Sequence, residues 1–505
     1  MKPIRALLFV IVTIALLVAG WYFFPAEGFA VGGHTLRFPS LADDLDEGKA
    51  EEVNVDAVIA NVRQSFEMTC SETMYDSLVF FREYLKENPN RIYLPDDDYT
   101  FFDTLFGQLE QAKAEGKTYR VMHYGDSQIE MDRISSVLRQ RLQELFGGSG
   151  PSMIPAVQPV ATISVSQRAS GLSRYMVYGD ANRAGHNRYG VMAQFGQVAG
   201  QGSISFTQTS HSQALEKAKQ ISTVSVLLGK NSQGFTASLR CDSIVPEPKV
   251  LPACDSVSLV TWTLPANVRR GTISFKGNAE IYAVLLDGDT GGVAVDNVAL
   301  RGCSGTIFTR LNESVMHQSF DLLGTKLVIL QFGGNRMPGI ASQKNIAPYI
   351  DELENHVNYL KKVAPEATFM FIGPADMGKS YNGKMGTWKG LPELNDSLRA
   401  MALRNNVAYW DMFHVMGGEG SMAQWVKHKP PLAGPDYVHF TFRGAQEIGN
   451  QLAKSLLTYY DFYRLRQHAP SQDIIDFVER DKSQDSLQMP YWKLTPFYKA
   501  PFERK

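Results

Sequence analysis

The residues best suited to chemistry are a serine, a histidine and an aspartate in two distant segments. Ser127 stands in "VMHYGDSQIEMD", between an apolar stretch and a helical pattern, so we expect it at the start of a helix. A serine hydroxyl becomes a nucleophile when a neighbouring base removes its proton. His439 in "PDYVHFT" supplies an imidazole, and Asp436 three residues earlier has the spacing of neighbours on a helical turn. Asp436 would orient the imidazole and stabilise its protonated form.

A nucleophile of this kind also needs hydrogen-bond donors for the negative charge that develops on the substrate oxygen. The candidates are the N–H of Ser127, the N–H of Gly302 in "LRGCSG" and the side-chain amide of Asn335 in "QFGGNRM". Taken singly, Ser127 could be a helix cap, Asp436 and His439 structural residues, and the glycines turn residues. Chemistry is favoured because four separate stretches supply matching residue types.

The stretches that contain Ser127, Gly302 and Asn335 each follow a predicted strand. Open parallel sheets bind their ligands at this end of the strands. Strands are predicted in "TYRVMHY", "GVAVDNVAL", "KLVILQF", "ATFMFIG" and "VAYWDMF". Helices are predicted in "DYTFFDTLFGQLEQAKAEG", from about Ile134 to Leu145, in "IAPYIDELENHVNYLKKV", in "LNDSLRAMALRNN" and from about Phe442. This alternation predicts an α/β domain with a parallel sheet covered on both faces.

The middle of the chain has a different pattern. The segments "SISF", "TVSVLL", "VSLVTW", "TISF" and "EIYAVLL" are separated by Ser, Thr, Gly and Pro, which is typical of an antiparallel unit, and we predict an inserted β-sandwich. The predicted organisation is an N-terminal segment (1–25), a discontinuous α/β domain with a helical extension (40–159 and 289–464), the insertion (160–288) and a tail (465–505). We expect the tail to wrap the surface or to be mobile.

The composition narrows the class of protein. Of 505 residues, 44% are hydrophobic and 20% charged, as in globular proteins of two or more packed units. The net charge of -2 and the lack of a long basic run argue against nucleic acid as the main partner. Lys2 and Arg5 precede an uncharged stretch, 6–24, long enough to span a bilayer. We expect a retained membrane anchor or a cleaved signal peptide, with the main body outside the cytoplasm in either case.

The cysteines give no metal signature. Cys70, Cys241, Cys254 and Cys303 form no close pair of the metal-binding kind, so no metal site is predicted. Cys241 and Cys254 flank a proline-rich loop and would either form a disulfide in an oxidising compartment or remain reduced.

Four sequence blocks resemble those of the SGNH (GDSL-type) hydrolase family: "YGDSQ", "LRGCSG", "GGN" and "DYVH". The serine lacks the second glycine of the G-x-S-x-G elbow, and its proposed acid and base share one segment, unlike an α/β-hydrolase. The resemblance covers about 119–155 and 290–460. It implies a three-layer α/β/α, flavodoxin-like fold. The family residues map to Ser127, Gly302, Asn335 and His439, with Asp436 as the partner of His439.

Within that family the chain resembles extracytoplasmic enzymes that act on O-acetylated cell-wall or exported polysaccharides and carry a β-sandwich in the same place. The resemblance implies an esterase that deacetylates such a glycan, for example peptidoglycan, without metal or organic cofactor. The alternatives are an acetyltransferase with the same residues and a non-catalytic glycan-binding protein. Trp262 and Tyr282 would be sugar-stacking side chains, or else ordinary core aromatics.

Overall fold

A computed structural model of the protein describes residues 12–13, 29–31, 34–36, 54–57, 74–288, 291–340, 343–467 and 471–484. The chain divides into two units, 1–52 and 53–505. In the first unit, strands β1 (Phe29–Val31) and β2 (His34–Leu36) pair antiparallel. The predicted anchor, apart from residues 12 and 13, lies outside the described residues. Within the described ranges, no helix is both long and apolar enough to cross a bilayer.

The second unit contains all remaining described elements. Its helices are α1 (Met74–Glu87), α2 (Asp103–Ala112), α3 (Ser135–Phe146), α4 (Glu313–Leu323), α5 (Ile346–Val363), α6 (Leu391–Arg404), α7 (Met412–Val415), α8 (Ser421–Lys427), α9 (Phe442–Arg466) and α10 (Ser471–Glu479). Its strands are β3 (Ile92–Tyr93), β4 (Thr118–Gly125), β5 (Ser152–Pro155), β6 (Val165–Met176), β7 (Gln194–Gln208), β8 (Thr223–Cys241), β9 (Lys249–Leu251), β10 (Ser258–Thr263), β11 (Arg270–Asp287), β12 (Gly292–Ala299), β13 (Thr325–Gln331), β14 (Thr368–Ile372), β15 (Gly378–Tyr381), β16 (Lys384–Thr387) and β17 (Ala408–Trp410).

The central sheet has the order β12-β4-β13-β14-β17-β3. Its first five strands are parallel, and β3 pairs antiparallel at the edge. In chain order the parallel strands read 2-1-3-4-5, which is the flavodoxin-like order. Side chains of α2, α3 and α9 pack on one face of the sheet, and those of α4, α5 and α6 pack on the other. The predicted three-layer α/β/α fold is confirmed.

The carboxyl ends of the parallel strands are aligned across the sheet. Gly125 at the end of β4 is level with Ala299 on β12 and Gln331 on β13. Gln331 is in turn level with Ile372, and Ile372 with Trp410. The loops after these strands therefore start from one edge, where the strand order reverses beside β4 and a ligand site is expected.

The predicted antiparallel insertion lies between α3 and β12. Hydrogen bonds join β5 to β11 into one seven-stranded sheet, in which β8 and β11 are the long central strands. The pairing of β8 with β11 is irregular between Gly277 and Ala283, and the antiparallel unit lies where the insertion was predicted. An apolar core of its own lies on this sheet.

Two remaining expectations concern the tail and the cysteines. Part of the tail forms α10, which buries Ile474, Phe477 and Val478, so this part packs as a helix. Cys241 and Cys254 are both free thiols, as the reduced alternative required.

Candidate active site

Ser127 lies in the turn that follows β4. Helix α3 begins only at Ser135, after a short 3₁₀ turn at Glu130–Asp132. The residue that caps α3 is Ile134, which makes no side-chain capping bond. The expectation that Ser127 opens the helix is wrong, because the chain inserts an extra turn before α3. The Ser127 hydroxyl is therefore not used as a cap for α3.

The structure brings the three predicted side chains together in series. Ser127 Oγ is 2.8 Å from His439 Nε2, and His439 Nδ1 is 2.8 Å from Asp436 Oδ2. The other carboxylate oxygen of Asp436 accepts the backbone N–H groups of Val438 and His439, at 3.0 and 3.1 Å. This geometry lets the imidazole take the serine proton while the carboxylate stabilises its charge.

Hydrogen bonds hold Asp436 in its ionised form. Burial raises the pKa of Asp436, but the hydrogen bonds from the His439 side chain and from the N–H groups of His439 and Val438 outweigh burial. The pKa of this carboxyl group therefore lies below its ordinary value. At neutral pH Asp436 is an anion and is ready to receive the Nδ1–H of the imidazole.

A second Asp-x-x-His pair among the described residues has the same local geometry, and its hydrogen bonds do not include a serine. Asp411 Oδ2 is 2.8 Å from His414 Nδ1, and its Oδ1 accepts the His414 N–H at 3.1 Å. The His414 side chain is 51% exposed, and no hydrogen bond joins it to Ser127. This spacing in sequence is thus a common way to hold a histidine, and the position relative to Ser127 distinguishes His439.

The Asn335 amide is held by two acceptors. Its Nδ2 donates to Asp126 Oδ2 at 2.9 Å and to the carbonyl of Cys303 at 3.2 Å. An amide nitrogen has only two hydrogens, so both are engaged in this state. To bind a substrate oxyanion, Asn335 would have to give up one of these partners. The bond to Cys303 is the longer and weaker of the two, so it is the one we expect to break.

Asp126, which the sequence analysis left without a role, anchors this amide. It is buried and accepts the Gln128 N–H at 2.9 Å in addition to the Asn335 amide. Burial raises the pKa of Asp126 to about 6, although those hydrogen bonds and the nearby His439 act to lower it. The only sequence signal was its place directly before Ser127.

Gly302 and Gly305 differ in accessibility. Both have positive φ, 74° and 85°, which a residue with a side chain adopts with strain. A side chain at Gly305 would collide with Phe332, whereas one at Gly302 would meet nothing within 4 Å. The Gly305 N–H already donates to the Cys303 sulfur at 3.3 Å. Gly302 is therefore the less crowded of the two glycines, but it is not among the residues that line the pocket beside Ser127.

Arg133 and Gln128, which the sequence analysis missed, join the nucleophile loop to the histidine loop. The Arg133 guanidinium donates to the carbonyls of Ser127 at 3.0 Å and of Phe440 at 2.8 Å. The Gln128 amide donates to the Val438 carbonyl at 2.6 Å. No periodicity or motif marks either residue. Their partners Phe440 and Val438 are contacted through backbone carbonyls and lie more than 300 residues away in the sequence.

A small pocket opens beside these residues. Ser127, Asn335 and His439 line it together with Asp126 and Gln331. Gln128 and Gly334 also line it, and the rest of its wall is apolar: Phe332, Pro374, Ala375, Met377, Met412 and Val438. A polar end with an apolar wall suits an ester whose acyl group is small.

Trp262 and Tyr282 are buried, so the expectation that they stack on sugars is wrong. Trp262 is 3% exposed, and its Nε1–H donates to the Glu247 carbonyl at 3.0 Å. Tyr282 is fully buried, and its hydroxyl donates to Glu280 at 2.9 Å. Both are core residues of the inserted sheet or its border.

Among the described residues, no group of three or more His, Cys, Asp or Glu side chains is placed to hold a metal ion.

Comparisons with known proteins give a fold relative. A solved structure of a peptidoglycan O-acetylesterase aligns with a TM-score of 0.58 and 20% identity, over 72% of this chain and 96% of that one. A family two carbohydrate esterase from Clostridium thermocellum aligns with a TM-score of 0.23 and 11% identity, over 52% of this chain and 94% of that one. An acetyl xylan esterase aligns with a TM-score of 0.25 and 14% identity, over 32% of this chain and 81% of that one. The sequence matches no protein-family model and no curated protein. The fold assignment depends on the first structure.

Proposed function

We propose that this protein, whose fold is that of the SGNH (GDSL-type) hydrolases, is a serine esterase that removes O-acetyl groups from a bacterial cell-envelope or exported polysaccharide. The observation that carries the proposal is the series of two 2.8 Å hydrogen bonds from Ser127 through His439 to Asp436. A protein that only binds glycan has no need for this arrangement, so catalysis is favoured over the binding alternative.

In the proposed reaction His439 takes the Ser127 proton as the hydroxyl oxygen attacks the ester carbonyl. The N–H groups of Ser127 and Gly302 and the amide of Asn335 would bind the oxyanion of the tetrahedral intermediate. His439 then protonates the leaving sugar oxygen, which leaves acetyl on Ser127. A water molecule, deprotonated by His439, releases acetate and restores the serine.

Hydrolysis is favoured over acetyl transfer by the exposure of the site. The side chains of His439 and Asp436 are 39% and 51% exposed, so water reaches the acylated serine. A transferase would need to exclude water from that intermediate. Peptidoglycan is our leading substrate, because the relative with the same fold is a peptidoglycan O-acetylesterase.

We place the enzyme on the outer side of the cytoplasmic membrane, held by the uncharged segment 6–24. Supporting this placement, that segment is long enough to span a bilayer and follows two basic residues. Membrane fractions washed with alkaline carbonate should retain the full chain. Quantitative recovery in the wash would rule out this anchor.

Ser127→Ala and His439→Gln are expected to lower the rate of acetate release from p-nitrophenyl acetate by about 10⁴-fold or more, with the melting temperature nearly unchanged. His414→Gln is the matched control, since His414 has the same local contacts with its aspartate and should leave the rate unchanged. Full activity in Ser127→Ala would remove the nucleophile assignment. Acetate release from O-acetylated peptidoglycan and from acetylated xylan, measured side by side, tests the substrate class.

A further inference from the structure

A two-stranded hairpin, β15–β16, starts at the wall of the candidate site. The Gly378 N–H donates to the carbonyl of Tyr437 at 2.8 Å, within the loop that carries Asp436 and His439. At the other end, the Trp388 N–H donates to the carbonyl of Met377, which lines the pocket, at 2.9 Å. The hairpin is therefore joined to the loop that carries His439 and to a residue of the pocket wall.

This segment, residues 378–389, which we call the lysine hairpin, has a one-sided charge. It contains Lys379, Lys384 and Lys389, all exposed, and no Asp or Glu, although the whole chain carries a net charge of -2. The Gly420 N–H donates to Thr387 of the hairpin, and the neighbouring Glu419 adds one exposed carboxylate. Asp376 is buried and accepts the backbone N–H of Met422. The hairpin surface is therefore positive.

Aromatic rings hold two of these ammonium groups in place. Lys379 Nζ lies 4.6 Å from the centre of the Trp388 ring, and Lys389 Nζ lies 5.2 Å from that of Tyr381. The Lys389 N–H also donates to the Tyr381 hydroxyl at 2.9 Å. A positioned cation loses less conformational freedom when an anion binds than a free lysine does.

Resting on the proposed esterase function, we propose that the lysine hairpin binds the anionic groups of the glycan chain whose acetyl ester enters the pocket. The substrate is then an acetylated glycan that carries carboxylate or phosphate groups near the ester, and neutral acetylated glycans are poorer substrates. The hairpin is a specificity surface, since its lysines act on the chain and not on the ester bond.

The test uses the full chain with Lys379, Lys384 and Lys389 changed to glutamine. Three exposed charge contacts worth about twofold each predict a loss of about 10-fold in kcat/KM on acetylated polygalacturonate. Hydrolysis of p-nitrophenyl acetate and of acetylated xylan should not change. The matched control changes Lys113, Lys249 and Lys276, exposed lysines on other elements, and should retain full activity on all three substrates. Added salt at ~0.5 M should remove the wild-type preference for the acidic polymer.

Binding to the Ser127→Ala chain separates this inference from the esterase assignment. Unacetylated polygalacturonate or a phosphomannan should bind this chain, and the triple lysine change should weaken that binding about 10-fold. Which of the two polymers binds identifies the anion. Absence of ester hydrolysis together with hairpin-dependent binding overturns the esterase proposal alone. Hydrolysis of both acetylated polymers at equal rates, or unchanged binding in the triple variant, overturns the role of the hairpin.

Discussion

At the scale of single residues, the groups of the candidate site differ in how far they are arranged for the proposed reaction. Ser127 and His439 are already at hydrogen-bonding distance, so proton transfer needs no rearrangement. Asn335, in contrast, gives both amide hydrogens to Asp126 and Cys303. In the proposed mechanism an oxyanion would compete with the Cys303 carbonyl oxygen for this amide, and its full charge would make it the stronger acceptor.

Replacing Asn335 with alanine should lower kcat by about 10²- to 10³-fold, the usual cost of one oxyanion donor. The measurement is the rate on p-nitrophenyl acetate, with the melting temperature recorded in parallel. Asn355→Ala on the exposed face of α5 is the control. A kcat close to that of the wild type would show that Asn335 has a structural role only.

Asp126 should make stability depend on pH in a particular direction. Its pKa is raised to about 6 from an ordinary 3.8, so the folded protein binds this proton more tightly than the unfolded chain. Stability from this group is therefore fully present below the ordinary pKa and is lost as pH rises through about 6. The cost of keeping the carboxylate buried is at most about 3 kcal/mol.

Asp126→Asn removes that titration, so the melting temperature of the variant relative to wild type should be higher at pH 8 than at pH 4. Thermal unfolding at both pH values measures the effect. An equal shift at the two values would contradict the assignment. Activity should fall in the same variant, because the Asn335 amide loses its charged acceptor.

At the scale of structural elements, Arg133 fixes the distance between the turn after β4 and the loop before α9. Its guanidinium donates to the Ser127 carbonyl in the turn and to the Phe440 carbonyl in the loop. It also donates to the backbone carbonyl of Glu130 at 3.0 Å. Burial lowers the pKa of Arg133, which still remains protonated. Arg133 is therefore a positioning residue for the serine and the histidine.

Arg133→Ala should reduce kcat by about 10²-fold with little change in KM, because a displacement of about 1 Å between reacting groups has an effect of this size. Arg133→Lys should recover part of the loss, since a single ammonium reaches fewer carbonyls. Steady-state kinetics on p-nitrophenyl acetate provide both constants. A rise in KM with unchanged kcat would place Arg133 in substrate binding instead.

The elements that the sequence predicted well are those with strong periodicity. The α5 pattern gave its bounds, Ile346–Val363, because apolar residues recur along one face. "TISF" and "EIYAVLL" were predicted as separate strands but belong to the single strand β11, since glycine and polar residues within a long paired strand look like a break. The β15–β16 hairpin and α10 were missed because each is short. The Ser127–His439 pair was predictable from residue types, whereas Arg133 was not.

At the scale of the whole second unit, a buried ion cluster joins the central sheet to the inserted sheet. Arg120 on β4 donates to Asp296 on β12 at 2.6 Å and to Asp287 at the end of β11. Asp296 also accepts the Met153 N–H from β5 at 2.9 Å. Burial raises the pKa of Asp287 in spite of its contact with Arg120, and the nearby Asp296 adds to the effect. The guanidinium is thus the one partner in this cluster that compensates both carboxylates.

Arg120→Met should lower the free energy of unfolding by about 3–5 kcal/mol, since it leaves buried carboxylates without their cation. Urea denaturation followed by circular dichroism measures this loss. Arg141→Met, which affects an exposed ion pair on α3, should cost less than about 1 kcal/mol. Similar small losses in both variants would show that the cluster does not join the sheets energetically.

The pairing of β5 with β11 also has a consequence for the speed of folding. Ser152 lies opposite Leu286, so the first and last strands of the insertion are neighbours. If the insertion assembles early, the free chain between β4 and its parallel partner β12 becomes roughly fivefold shorter, which reduces the entropy lost on closing that loop by about 1.5 kcal/mol. The order of assembly would then set the rate at which the central sheet nucleates, and with it the time during which its unpaired edges are exposed.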